Sequence, residues 1–197
     1  APRDGVLWGS LPEPVAIRER ERCYRVDVVH GQKTGFYLDQ RDARDLVEGL
    51  AAGRRVLDLF SYSGAFAAAA ARGGAETVTV VDSSADALDA ARNHVEMNGA
   101  EGGRPYDAVF EKADGFNWLR ACSERYGLLV VDPPPLARRK HDVEKATRAY
   151  KDVLLHAFRC AERDALVDAS FRALPDDIAE GAMGWALDLL DEAIALA

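Results

Sequence analysis

Along the chain the rhythm of apolar and polar positions changes near residue 55. Before that point a period of two appears in short stretches at 15–17 and 23–29, where Tyr24, Val26 and Val28 alternate with polar neighbours, so brief strands are expected. Pro2, Pro12 and Pro14 divide this region, Gly31 and Gly35 bound a loop, and a helix over 42–52 is stopped by Gly53. From residue 55 apolar runs alternate with alanine-rich helical patterns. Strands at 56–60, 77–81, 108–112 and 128–131 are followed by helices at 65–72, 85–98, 116–125 and 143–161. Four β-then-α units predict an α/β fold, a doubly wound, mostly parallel sheet covered on both faces. Residues 1–40 read as a small β-rich appendage and 41–197 as the α/β domain. Beyond 161 only helices are expected, at 163–173 and, after Pro175, at 177–196, where Met183, Leu187, Leu190 and Ile194 form one stripe.

Composition narrows the function classes. With 48% apolar and 29% charged residues the chain is globular in type, and no apolar run approaches the roughly 20 residues of a membrane span. No signal peptide is read, and Cys23, Cys122 and Cys160 lack metal-ligand spacing. Free thiols, a cytoplasmic location and no metal site are therefore expected. The net charge of −8 argues against coating nucleic acid through the overall field. One local exception lies at 138–151, where Arg138, Arg139, Lys140, Lys145, Arg148 and Lys151 face only Asp142 and Glu144. Such a run serves equally as an RNA contact or as a solvated helix face.

Ligands of open α/β sheets bind beyond the carboxyl ends of the strands. Four expected strands carry an aspartate near that end: Asp58, Asp82, Asp114 and Asp132. The loop Phe60-Ser61-Tyr62-Ser63-Gly64 has one glycine rather than Gly-x-Gly-x-x-Gly, which disfavours a dinucleotide pyrophosphate. Its backbone N–H groups suit a carboxylate such as the methionine end of S-adenosylmethionine. Asp82, with Ser83 beside it, has the offset expected of an acid binding ribose hydroxyls. Asp114, Gly115 and Phe116 suit an adenine, although Asp114 also reads as a helix cap. Asp132-Pro133-Pro134 presents a carboxylate and carbonyls without N–H donors at the prolines, which suits an amine or protonated ring nitrogen of a flipped base.

The runs Gly31-Gln-Lys-Thr-Gly-Phe-Tyr-Leu-Asp-Gln-Arg41, Val56-Leu-Asp-Leu-Phe-Ser-Tyr-Ser-Gly-Ala-Phe66, Asp132-Pro-Pro134 and Tyr150-Lys-Asp152 closely resemble the bacterial 23S rRNA cytosine-C5 methyltransferases of the large-subunit type. The resemblance extends from about residue 5 to 162 and implies a class I, Rossmann-like methyltransferase that uses S-adenosylmethionine. It implies cofactor contacts at Lys33, Tyr37, Asp39, Arg41 and Phe60 to Gly64, which with Asp58, Phe66, Asp82, Ser83, Asp114, Gly115 and Phe116 complete the expected cofactor site. Asp132, Pro133 and Pro134 form the expected catalytic set. The implied partner is 23S rRNA, reached through 138–151, with a homodimer as a further expectation and no membrane.

Two departures from the family matter. Members begin with a small RNA-binding domain, whereas this chain starts after it. They also carry a Gly-Gly strand and a Ser-Cys-Ser segment behind the long helix, whereas here Arg163-Asp-Ala-Leu follows Glu162 and reads as a helix. A strand is therefore expected to be missing, leaving strand 128–131 at an open edge. The family's Ser-Cys-Ser cysteine attacks carbon 6 so that carbon 5 takes the methyl group. None of the three cysteines falls at an expected strand end. Two alternatives follow: transfer to an exocyclic amine such as guanine N2, and a cofactor-binding module without catalysis.

Overall fold

A computed structural model describes residues 8–10, 15–29, 31, 35–103, 105–136 and 143–169. Strands β1 (Val15–Glu19) and β2 (Arg22–Val26) form an antiparallel hairpin. A 3-10 turn at Leu38–Gln40 leads into α1 (Arg41–Leu50). Then follow β3 (Arg55–Leu59), α2 (Ala65–Arg72), β4 (Thr77–Asp82), α3 (Ala85–Gly102), β5 (Asp107–Lys112) and α4 (Gly115–Ala121). The described chain closes with β6 (Tyr126–Val131), α5 (Val143–Arg159) and β7 (Ala161–Ala169). Strands β3 to β7 make one parallel sheet in the order β5-β4-β3-β6-β7. The chain runs outward from β3 through β4 to β5 and returns beside β3 as β6. That reversal opens a crevice at the carboxyl ends of β3 and β6.

Side chains of the central strands serve two cores by their period of two. Val56, Val78, Val80, Leu128 and Val130 face α1, α2, α3 and the hairpin, while Leu57, Leu59, Val81, Leu129 and Val131 face α4 and α5. Buried Ala67 to Ala71 keep α2 slim enough to lie between the sheet and its neighbouring helices. Tyr24, Val26 and Phe36 join the first core, so the hairpin region shares the interior of the α/β domain. Its fastening is polar as well. Buried Glu19 accepts from Arg44 Nε at 2.8 Å and from Arg22 Nη2 at 3.0 Å, tying the hairpin to α1. Among the described residues no helix is long and apolar enough to cross a membrane.

The region after α5 corrects the sequence reading. Residues 163–169, expected as helix, form most of β7, and the missing strand with its open edge is not found: β7 pairs in parallel with β6, Leu128 opposite Leu166 and Val131 opposite Ala169. Glu162, Arg163, Ala165 and Leu166 all favour helices, and that propensity misled. Buried β6 leaves backbone groups that must be paired, and this requirement outweighs a few tenths of a kcal/mol per residue. Ala161, Ala165 and Val167 pack on the second core. Helix α4 also ends earlier than expected, at Ala121, because Cys122 is extended and β6 begins at Tyr126. The helix expected over 177–196 lies outside the described residues.

Candidate functional site

The loop between β3 and α2 is bent by three left-handed residues: Phe60 at φ 62°, Tyr62 at φ 49° and Gly64 at φ 66°. For Phe and Tyr this conformation carries strain that surrounding bonds must hold. Ser61 N–H donates to the Val81 carbonyl at 3.1 Å, Tyr62 N–H to Asp82 Oδ2 at 2.8 Å and Ala67 N–H to Asp58 Oδ2 at 2.9 Å. The Ser63 carbonyl meets His94 Nδ1 at 2.8 Å. Glycine is required at 64, since a Cβ there would lie 2.5 Å from the Ala91 Cβ as well as on a left-handed backbone.

This loop forms one wall of a cleft of about 980 Å³ at the sheet's reversal point. Asp58, fully buried at its floor, has its carboxyl pushed up to about 7 by burial, with Asp132 and Asp82 adding to the rise against the Ala67 hydrogen bond. Asp82 also accepts Ser84 N–H at 2.8 Å, which leaves roughly half of a carboxylate's four lone-pair positions. Ser84 rather than Asp82 caps α3, its hydroxyl accepting from Ala87 N–H at 3.2 Å. Asp114 caps α4 by accepting Asn117 N–H at 2.9 Å. The Phe60 and Phe116 rings lie 5.0 Å apart, and a Cβ on Gly115 would meet the Phe60 ring at 2.5 Å, so glycine is what lets that ring lie against the start of α4.

Opposite stands the segment Phe36 to Gln40. Arg44 holds it from beneath, donating Nη1 to the Tyr37 carbonyl at 3.0 Å with its guanidinium 4.8 Å from the Phe36 ring centre. Tyr37 meets Tyr62 edge to face at 5.7 Å. Gln40 Nε2 donates to Asp132 Oδ2 at 3.3 Å, joining this wall to the end of β6. Behind Asp132, Tyr150 of α5 donates its hydroxyl to the Pro134 carbonyl at 3.4 Å and accepts Leu136 N–H at 3.2 Å.

Most residues singled out from sequence line this cleft: Tyr37, Asp58 and Phe60 to Ser63, then Phe66, Asp82, Ser83, Asp114, Gly115 and Phe116, and finally Asp132, Pro133 and Pro134. Gly64 lies at the helix entrance without lining it. Asp39 and Arg41 are exposed and are not among the cleft-lining residues, Arg41 Nε lying 3.9 Å from a Glu19 carboxylate oxygen. Lys33, Arg138, Arg139 and Lys140 lie outside the described residues, while Lys145 and Lys151 are exposed. Sequence reasoning missed Arg25, Gln40 and Arg44 as lining residues. Gln40 stands inside the quoted run from Gly31 to Arg41, but nothing in that run says it would meet a residue of β6's end. Cys122 and Cys160 sit before β6 and β7, away from the strand ends that form the cleft, and burial pushes the Cys160 thiol up to about 12. Cys23 lies on β2. Among the described residues no group of three or more His, Cys, Asp or Glu could hold a metal.

A family model described as S-adenosylmethionine-dependent methyltransferase matches residues 5–162. Ribosomal RNA large subunit methyltransferase I of Aeromonas salmonicida is 42% identical over 161 residues, which cover 80% of this chain and 40% of that protein. Ribosomal RNA large subunit methyltransferase of Deinococcus radiodurans is 46% identical over 149 residues, covering 74% and 36%. The chain thus spans about 40% of the length of the curated relatives it matches. Among solved structures, a protein from Streptococcus mutans superposes with a TM-score of 0.77 at 25% identity, over 92% of this chain and 48% of that one. SMU.776, crystallised in complex with SAH, gives 0.73 at 27% identity with the same coverage. With a matching model over most of its length and relatives above 40% identity, the chain belongs to the S-adenosylmethionine-dependent methyltransferase family.

Proposed function

We propose that this cleft binds S-adenosylmethionine and directs its methyl group to a base of large-subunit ribosomal RNA. The observation that carries the reading is the position of Asp132: it ends β6 at the reversal point, bonded to Gln40 across the cleft from the loop at 60–64. The residues fit the cofactor on their own chemistry. Ser61 Oγ is buried without a partner in the loop proposed for the methionine end, and Asp58 and Asp82 line the cleft where a ligand carrying a sulfonium and an ammonium would lie. Asp82 keeps acceptor positions for ribose hydroxyls, and the apolar rings of Phe60 and Phe116 lining the cleft suit contact with one face of the adenine. When bound, the cofactor supplies an electrophilic methyl group. Asp132 accepts from a nitrogen of the target base, and the Pro133 carbonyl adds an acceptor, while the Pro134 carbonyl takes the Tyr150 hydroxyl.

Carbon 5 of a cytosine in 23S rRNA is the target that the motif resemblance supports. That chemistry needs a thiolate at carbon 6 of the ring. A second reading, transfer to an exocyclic amine such as guanine N2, is favoured by the distance of all three cysteines from the strand ends around Asp132. The deciding experiment incubates the chain with S-adenosylmethionine and 23S rRNA and identifies the modified nucleoside by mass spectrometry. 5-Methylcytidine supports the first reading and N2-methylguanosine the second; an unmodified RNA with cofactor bound supports a binding module. Asp132→Ala is expected to abolish transfer while cofactor affinity in calorimetry stays within about twofold.

A further inference from the structure

We infer that Gln40 is a specificity-determining residue that reads the target base together with Asp132, selecting a base with an amine next to an unprotonated ring nitrogen. The inference rests on the methyltransferase reading and names the class of base that this site takes. Gln40 is 8% exposed and lines the cleft from the wall opposite the loop at 60–64. One N–H of its amide is donated to Asp132 Oδ2 at 3.3 Å. A primary amide has two N–H groups and a carbonyl oxygen, so a second donor remains beside the carboxylate. The two side chains therefore offer an acceptor and a donor side by side, held in register by the bond between them.

A cytosine edge matches that pair. Its N4 amine donates to the Asp132 carboxylate, and its N3 lone pair accepts from the Gln40 amide. Uracil reverses both positions, setting the O4 carbonyl against the carboxylate and N3–H against the amide N–H. A site built to make two buried hydrogen bonds rejects a ligand that reverses them, because both partners are then left unpaired. Asp132 alone, being only an acceptor when ionised, reads the amine but not the ring nitrogen. Tyr150 braces the backbone that follows Asp132 by bonding Pro134 and Leu136.

The test loads the chain with SAH and titrates cytidine 5′-monophosphate and uridine 5′-monophosphate, following the Gln40 side-chain amide by NMR. Wild type is expected to bind the cytidine nucleotide at least about fivefold more tightly, with the Gln40 amide resonances shifting. In Gln40→Leu and in the near-isosteric Gln40→Glu, which removes the donor without changing shape, that ratio is expected to fall to about one while SAH affinity stays within about twofold. The assignment is overturned if wild type binds both nucleotides equally or neither, or if both variants keep the preference. A wild-type chain that transfers no methyl group would remove the methyltransferase reading without moving this ratio. Equal binding by a chain that does methylate RNA would remove the role of Gln40 alone.

Discussion

At Asp58 a carboxyl group with 1% of its surface exposed accepts a single N–H, from Ala67, among the described residues. Burial, then the neighbouring carboxylates Asp132 and Asp82, push it up to about 7. The sign of the linkage follows: between the ordinary aspartate value near 3.9 and about 7 the folded chain holds one more proton than the unfolded one, so this group makes stability fall as pH rises. Asp58→Asn keeps an oxygen for Ala67 N–H and removes the titration. Urea unfolding of the variant is expected to lose a decline on the order of 2–4 kcal/mol between pH 4 and pH 8 relative to wild type. Asp82 acts differently, since it secures Tyr62 N–H and Ser84 N–H and keeps positions for a ligand. Asp82→Ala is expected to weaken S-adenosylmethionine binding by about tenfold or more in calorimetry, roughly 1.4 kcal/mol; unchanged affinity would remove its assignment. Asp82 and Asp132 were legible because each closes an apolar strand. Gln40 was not, because its partner lies 92 residues away and only the fold brings them together.

Among elements, the hairpin is also held by two side chains one turn apart on α3. Asn98 accepts Cys23 N–H at 2.9 Å and donates to the Cys23 carbonyl at 2.8 Å. His94 Nε2 accepts Arg25 N–H at 2.9 Å, leaving Nδ1–H for the Ser63 carbonyl, a tautomer consistent with burial holding this imidazole below its usual value. Cys23 and Arg25 alternate along β2, so the helix supplies a substitute strand edge and blunts a pairing surface. The same histidine links the hairpin to the loop at 60–64. Asn98→Ala removes the side-chain partner of the Cys23 N–H and carbonyl in a partly buried setting, and a loss of about 2 kcal/mol is expected, visible as a fall of roughly 4–8 °C in the melting temperature. A melting temperature unchanged within a degree would show that water serves those groups equally well. At β7 the local pattern failed for the opposite reason: residues willing to be helical were recruited by the edge of β6.

For the molecule as a whole, net charge and site charge point in different directions. A chain of net charge −8 repels RNA at long range, so the proposed RNA substrate would have to be met by a restricted cationic surface. Lys145 and Lys151 stand exposed on α5, the helix whose Tyr150 supports the Asp132 loop. Reversing both to glutamate is expected to weaken binding of 23S rRNA fragments and to lower the slope of log affinity against log salt by up to about two. An unchanged slope would return this run to the role of a solvated helix face. Cofactor affinity should be indifferent to the change, which separates the RNA surface from the cleft.

The alternation of strands and helices, the acids at strand ends and the single-glycine loop were written in local order. Each depends on neighbours within a few residues, and so fold class and most of the cleft were readable from the chain. Strand order, the pairing of β7 with β6 and the meeting of Gln40 with Asp132 were decided only by tertiary structure. Each of those joins distant segments through the demand that buried backbone and polar groups find partners, a demand that local propensity does not record.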